Sequence, residues 1–233
     1  MIKIFPALAG LVFAIPGLAW AGESVRPSGP VSSQPRSPET ADTLSRSEAT
    51  ARVADWVAAS GDNASLPYII IDKTAASLFL FDAHGKSLGA VPVLIGVAVG
   101  DDATPGIGSK NLAEIGPAEK TTPAGRFLAK FGLAAGRQRI LWVDYATSVA
   151  LHPIPPGASK KERRRQRMLS PTPDDNRITF GCINVPSAFY SRSVSPLFGK
   201  KGGYVYILPD TKPLETVFPR LRVQALMKGD VPQ

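Results

Sequence analysis

The chain has 233 residues, a formal net charge of +8, 44% hydrophobic residues and a single cysteine. One thiol excludes an internal disulfide framework, and one cysteine with two histidines argues against a zinc site. The length suffices for one substantial domain with its own core.

Residues 1–21 have the features of a cleavable export signal. Lys3 supplies the charge, an apolar stretch follows, and the segment ending at Ala21 offers an A-x-A cleavage site. The signal contains no cysteine, which excludes a lipoprotein anchor. We therefore expect a periplasmic protein without stable membrane insertion. Outside the cytoplasm, a basic chain favours an anionic wall polymer or membrane surface over nucleic acid as a partner.

The next two segments differ in composition. Residues 22–50 are rich in Pro, Ser, Glu and Arg and nearly lack large apolar groups, which predicts a disordered tether. Within residues 51–66, Val53, Trp56 and Val57 recur at helical spacing. This pattern predicts a short helix over 52–59, packed on the following domain and joined to it by a connector.

From residue 67 the sequence becomes typical of β-structure. Short apolar, β-branched runs alternate with turn residues, which predicts strands at 68–71, 77–81, 88–99, 126–131, 139–143, 148–152 and 204–208. Helices are expected only in the basic run near Lys160 and at 187–193. We place one mainly β domain at 67–212, with a basic insertion at 153–176 and a tail at 213–233. The order of the strands does not follow from these patterns.

The single cysteine, Cys182, follows Gly181, and a glycine beside a thiol permits a tight turn and close approach of a substrate. A thiol nucleophile needs a base to accept its proton, and histidine is the usual one. His152 closes a predicted strand and faces a loop, whereas His84 lies in a hairpin turn between strands. Active sites are often built on loops held by rigid elements, so we favour His152.

Other interpretations of the thiol remain open. Cys182 lies among apolar residues and is also compatible with a buried, inert side chain, because unpaired cysteine is among the most buried residue types. A mixed disulfide with another molecule is a further alternative. An oxidising compartment disfavours idle exposed thiols.

The segment Thr179-Phe180-Gly181-Cys182-Ile183-Asn184 resembles the nucleophile motif of the L,D-transpeptidase (YkuD-like) family, Ser/Thr-His-Gly-Cys-x-Arg/Asn. The strand end at His152 resembles the one that carries the family's catalytic histidine. Four further stretches fit in the same order. They are the first strands at 68–72, 77–81 and 93–96, and the Thr-Pro-x-Gly-x-Phe cleft motif at Thr122, Pro123, Gly125 and Phe127. The resemblance covers roughly residues 67–209.

This resemblance implies a mainly β domain, either a sandwich or barrel-like, with a few short helices. It implies that Cys182 attacks the peptide bond after meso-diaminopimelate in peptidoglycan stem peptides and releases D-alanine. The acyl group then passes to an amine (L,D-transpeptidation) or to water (L,D-carboxypeptidation). His152 would be the base, and the amides of Gly181 and Cys182 the oxyanion donors. No cofactor or metal is implied.

We expect substrate contacts at Thr122, Pro123, Gly125, Arg177, Thr179, Phe180 and Asn184, of which Arg177 lies outside the matched motifs and could pair with a substrate carboxylate. For Asn184, a structural hydrogen bond is an equal alternative. For Arg177, we prefer a local ion pair with Asp174 or Asp175. Phe180 stands where the family has histidine, which keeps open a wall-binding module of the same fold without turnover.

The insertion contains a run of six cations and one carboxylate, from Lys160 to Arg167. A solvated loop or helix is the simplest interpretation of such a run. The functional alternative is a cationic flap beside the cleft that attracts stem-peptide carboxylates or anionic wall polymer.

Overall fold

The structure, a computed structural model, describes residues 44–134, 138–158 and 160–222. The predicted signal at 1–21 and most of the predicted tether lie outside these residues. The strands are β1 (Tyr68–Asp72), β2 (Ser77–Phe81), β3 (Ser87–Pro92), β4 (Ile95–Gly96), β5 (Gly125–Leu133), β6 (Arg139–Asp144), β7 (Val149–Pro153), β8 (Arg177–Thr179), β9 (Ile183–Val185) and β10 (Gly203–Ile207). The helices are α1 (Glu48–Ser60), α2 (Arg164–Met168), α3 (Ser187–Phe189), α4 (Ser195–Phe198) and α5 (Leu214–Val217), and a π-helical segment (Tyr190–Val194) joins α3 to α4.

Eight strands form one sheet in the order β3-β2-β1-β10-β5-β6-β7-β9, and β4 pairs with β8 in a second, small sheet. Most neighbours are antiparallel, but β1 pairs parallel with β10 and β7 parallel with β9. Leu94, just after β3, exchanges two main-chain hydrogen bonds with Asn184 of β9, at 2.9 and 3.0 Å. The two ends of the large sheet are thereby linked, and the sheet is nearly closed.

Alternating side chains of the sheet pack into two hydrophobic cores. One core takes Ile69 and Ile71 of β1 together with Leu151 and Ile183, and it is lined on one side by the helical segment after β9. The second core contains Tyr68 and Ile70 of β1, together with buried residues of α1 and of the chain around α5. This two-residue alternation is what a strand covered on both faces requires.

Helix α1 begins at Glu48, earlier than predicted, because the Ser47 side chain accepts a hydrogen bond from the Thr50 amide and caps the helix. Gly61, with φ 67°, ends it in the left-handed conformation. The residues after β10 also differ from the predicted tail, since Phe218 and Leu221 are buried in the second core. The folded unit therefore extends beyond residue 212.

The predicted mainly β fold class is confirmed, and the strands at 68–71, 77–81, 126–131, 139–143, 148–152 and 204–208 are present with shifts of one or two residues at their ends. The single strand predicted at 88–99 is wrong. It divides into β3 and β4 because the chain leaves β2 and turns to pair with β8 and β9. Strands β8 and β9, three residues each, are present in the structure but are not predicted by the sequence patterns.

Candidate active site

His152 lies on β7, and Cys182 directly precedes β9, the strand that pairs with β7. In the parallel pair β7 and β9, Leu151 is in register with Ile183, and His152 with Asn184. Leu151 and Ile183 point into the first core. Side chains alternate along a strand, so His152 and Asn184 belong to the opposite face, and Cys182 comes one residue before β9 begins. A strand spacing of about 4.8 Å and two steps of about 3.3 Å place the Cα atoms of His152 and Cys182 about 8 Å apart.

Main-chain groups of β7 and of the residue just before it orient the thiol. Sγ of Cys182 lies 3.7 Å from the carbonyl oxygen of Ser148, to which it donates, and it accepts a hydrogen bond from the amide of Ala150. The cysteine is partly exposed. The sulfur is therefore oriented toward the start of β7, and the imidazole lies further along the same strand.

The imidazole of His152 is oriented by its neighbour's backbone. Its Nδ1 lies 2.7 Å from the carbonyl oxygen of Pro153. A carbonyl can only accept, so Nδ1 carries the proton and Nε2 has the free lone pair. Pro153 has no amide hydrogen but supplies this carbonyl, so the proline is compatible with an oriented base.

Both groups are shifted toward their neutral forms. Burial raises the pKa of the Cys182 thiol above its ordinary value, against smaller lowering effects from the Ala150 amide and the charge of Arg164. Burial lowers the pKa of His152, the bond to Pro153 opposes this shift, and the charge of Arg164 adds to it. Both shifts favour a neutral thiol and a neutral imidazole, which is the protonation state that base-assisted attack requires.

The turn before Cys182 is closed by Thr179. Its hydroxyl donates to the carbonyl of Cys182 at 2.6 Å and accepts from the amide of Gly181 at 3.1 Å. Thr179 is 2% exposed, so it braces the turn instead of contacting a substrate as predicted. The Gly181 amide, predicted as an oxyanion donor, is already engaged by this hydroxyl, and that part of the prediction is corrected.

The Thr122 side chain also stabilises the turn before Cys182. Its hydroxyl accepts from the Gly96 amide and donates to the Gly181 carbonyl, both at 2.8 Å. The residue is 1% exposed, so the predicted substrate contact is replaced by a positioning role. A Cβ on Gly181, whose φ is +124°, would lie 2.6 Å from the carbonyl oxygen of Thr121, which is closer than real Cβ contacts. Glycine is therefore required for this close backbone packing.

Arg164 reaches the site from the basic insertion. Its Nη1 donates to Oδ1 of Asn184 at 2.8 Å, and its Nε pairs with Glu162 at 2.8 Å. Asn184 is fully buried and in register with His152, so this bond fixes the guanidinium beside the histidine. Arg164 is a site residue that the motifs did not identify, because a run of cations gives no sign of which one points inward.

The remaining predicted residues lie around this centre. Arg177 pairs with Asp210 at 2.6 Å, so the predicted local pair with Asp174 or Asp175 is wrong, as is a free role toward substrate. Phe180 is 38% exposed at the rim of the site. The ammonium group of Lys120 lies over its ring, with Nζ 3.9 Å from the centroid of the Phe180 ring.

Two further residues of the cleft motif differ in burial. Pro123 is buried and Gly125, which starts β5, is half-buried, so both shape the backbone behind the turn. His84 is exposed in its hairpin turn, apart from this centre.

A buried ionic cluster supports the turn from the interior. Nζ of Lys73, with a fully buried side chain, lies 3.0 Å from Asp101, 3.2 Å from Asp210 and 3.0 Å from the carbonyl of Thr122. Asp101 also accepts bonds from the amides of residues 210–212, and its pKa is well below the usual range because these bonds outweigh the effect of burial. The cluster links β1, the Thr122 segment and, through Asp210, Arg177 at the start of β8.

The basic run is partly docked. Besides Arg164, Arg167 donates to the carbonyl of Asp175 at 2.6 Å, whereas Arg163 and Arg165 are exposed. Among the residues described, no set of three or more His, Cys, Asp or Glu side chains is grouped as a metal site would require. None of the helices within the described ranges has both the length and the apolar character needed to cross a bilayer.

No family model and no curated protein matches the chain. Among solved structures, the L,D-transpeptidase of Xylanimonas cellulosilytica matches at 14% identity over 61% of this chain and 60% of its own length, with a TM-score of 0.37. The catalytic domain of the E. faecium L,D-transpeptidase matches at 19% identity over 61% and 96%, with a TM-score of 0.33. The helical cell shape determining protein Pgp2 of Campylobacter jejuni matches at 13% identity over 78% and 64%, with a TM-score of 0.42. The first two are named L,D-transpeptidases.

Proposed function

We propose that the protein is a cysteine acyltransferase of the L,D-transpeptidase type, acting on peptidoglycan stem peptides in the periplasm. The observation that carries the proposal is the pairing of β7 with β9, which brings the thiol just before β9 near a histidine on β7 whose Nε2 is left free as a base. The wall substrate follows from the motif resemblance and from the predicted export signal.

In the first step, Cys182 turns about its Cα–Cβ bond from the Ser148 carbonyl toward the imidazole. Hydrogen bonds between catalytic groups are often long in the absence of substrate and tighten when it binds. His152 takes the thiol proton at Nε2 while Sγ attacks the carbonyl carbon of the peptide bond. The same proton is then given to the departing amine, D-alanine, and a thioester remains on Sγ.

The negative charge of the tetrahedral intermediate needs fixed donors. Of the two amides predicted as oxyanion donors, we retain that of Cys182, because the Gly181 amide is bonded to Thr179. Loss of one oxyanion donor typically costs about 3 kcal/mol of barrier. Thr179 and Thr122 hold the turn and thereby fix the direction of this amide.

The second step transfers the acyl group to an amine, or to water in the L,D-carboxypeptidase alternative. His152 removes the proton from the incoming nucleophile, and the thiolate leaves as the new bond forms. No cofactor or metal takes part in either step.

Product analysis tests the proposal. The protein is incubated with a disaccharide tetrapeptide, with and without a second stem peptide as acceptor, and the products are separated by chromatography. We expect D-alanine release in both cases and a cross-linked product only with the acceptor. Release without cross-linking identifies the hydrolytic alternative. Absence of D-alanine release from a folded protein that still binds the peptide contradicts the enzyme and supports a wall-binding module.

A further inference from the structure

A groove of about 780 Å³ lies beside the candidate site, between the basic insertion and the start of α3. Its size is in the range of ligand-binding pockets. Its apolar lining includes Ile154, Pro155, Val185 and Pro186, and its charged lining consists of Lys160, Arg163, Arg164 and Arg165. None of the described residues that line it is acidic.

The groove lies beyond His152, on the side away from the thiol. Strands β7 and β9 run in parallel, with the sulfur near Ser148 and Ala150, His152 and Asn184 next, and the groove-lining Ile154 and Pro186 last. Four steps of about 3.3 Å separate Cys182 from Pro186 along the chain, which is about 13 Å. An extended peptide of about four residues spans this distance.

The charge of the groove selects an anionic occupant. Arg164 is already bonded to Asn184 and Glu162, which leaves Lys160, Arg163 and Arg165 as exposed cations on the rim. Apolar residues among these cations suit a short peptide with methyl-bearing side chains and free carboxylates. A long polyanion binds best to a row of exposed cations and has no use for a concave apolar floor.

We propose that this groove binds the amine acceptor, a short peptide with free carboxylates, and presents its amine to the acyl-enzyme from the histidine side. This inference rests on the proposed function. The amine nitrogen attacks the thioester carbonyl, a C–N bond forms and the C–S bond breaks. The amine proton passes to Nε2 of His152 and then to the thiolate. The position of the groove places the imidazole between the sulfur and the bound acceptor, where this base is needed.

Acylation and acyl transfer are measured separately in the groove variant, Arg163→Gln/Arg165→Gln. The control variant, Lys200→Gln/Lys201→Gln, removes the same charge at exposed positions after α4. The first readout is thioester formation with the donor tetrapeptide alone, and the second is the ratio of cross-linked to hydrolysed product with acceptor. We expect unchanged thioester formation and a transfer ratio lowered about fivefold in the groove variant, since two exposed ion pairs are lost. The control stays within about twofold.

Binding is measured independently of turnover in Cys182→Ala protein at low salt. The probes are the acceptor peptide, the same peptide with its carboxylates amidated, and poly-glutamate. We expect the acceptor to bind more tightly than its amidated form, and this preference to be lost in the groove variant. Equal binding by the groove variant, or poly-glutamate binding without peptide binding, overturns the inference. Absence of thioester in the wild type overturns the proposed function instead, so the two failures are distinguishable.

Discussion

The Thr122→Val substitution tests whether the Thr122 side chain stabilises the turn at Gly181, directly before Cys182. The Thr122 hydroxyl is the point at which the segments of Gly96 and Gly181 meet, through two buried hydrogen bonds of 2.8 Å each. Valine has nearly the same shape, so the change removes these bonds without leaving a cavity.

The expected cost follows from the groups left behind. A buried donor without a partner costs about 1–3 kcal/mol, and the Gly96 amide becomes such a donor. The Gly181 carbonyl also loses the hydrogen bond that it accepts from the Thr122 hydroxyl, which adds about 1 kcal/mol to the loss of stability. We therefore expect a loss of about 2–4 kcal/mol in the free energy of unfolding. Because Gly181 precedes Cys182, thioester formation should also slow, while Thr122→Ser restores both quantities.

Urea unfolding and thioester formation are measured on the same preparations. Thr121→Val is the matched control, since Thr121 is the adjacent buried threonine and its hydroxyl has no hydrogen bond among the described residues. A loss below about 0.5 kcal/mol for Thr122→Val, or an equal loss in both variants, would refute the role of this hydroxyl.

Three further predictions concern charge and backbone. Arg164→Gln should raise the pKa of the Cys182 thiol and slow its alkylation at neutral pH about threefold or more, because a rise of one pH unit in a pKa lowers the thiolate fraction about tenfold. Arg165 is exposed and does not contact Asn184, so Arg165→Gln should leave the alkylation rate unchanged. Asp101 has a lowered pKa in the folded state, so its stabilisation is present above the unfolded value near 4 and is lost as the pH falls from there toward the folded value. Asp101→Asn should therefore flatten the acid limb of a stability–pH curve, and an unchanged limb would count against the cluster. Gly181→Ala should yield a destabilised protein without thioester formation, measured by thermal unfolding and mass spectrometry, because its Cβ meets backbone that cannot move away.

The sequence predicts those parts of the fold that depend on local patterns. Strands β1 and β2 are apolar and flanked by turn residues, and α1 has helical spacing with a clear stop. Strands β8 and β9 are not predicted, because three residues are too few to show a strand periodicity in the sequence. Their strand character comes from pairing with β4 and β7, which no local pattern encodes.

The same distinction applies to the site. Residue chemistry and the motif lead to the prediction of Cys182 and His152, since the chain has one cysteine and two histidines. The contacts of Arg164 with Asn184, of Arg177 with Asp210 and of Lys73 with Asp101 join residues far apart in the chain. Their partners depend on the order of strands in the sheet, which composition and spacing do not determine.

The most direct test of the account is intact-protein mass spectrometry after brief incubation with a disaccharide tetrapeptide. We predict a covalent adduct of the substrate without its terminal D-alanine, located on Cys182 by peptide mapping. The adduct should be absent in Cys182→Ala and strongly reduced in His152→Ala, while His84→Ala behaves like the wild type. An adduct that forms equally in His152→Ala, or no adduct on the folded wild-type protein, would contradict the pairing of this thiol with this imidazole.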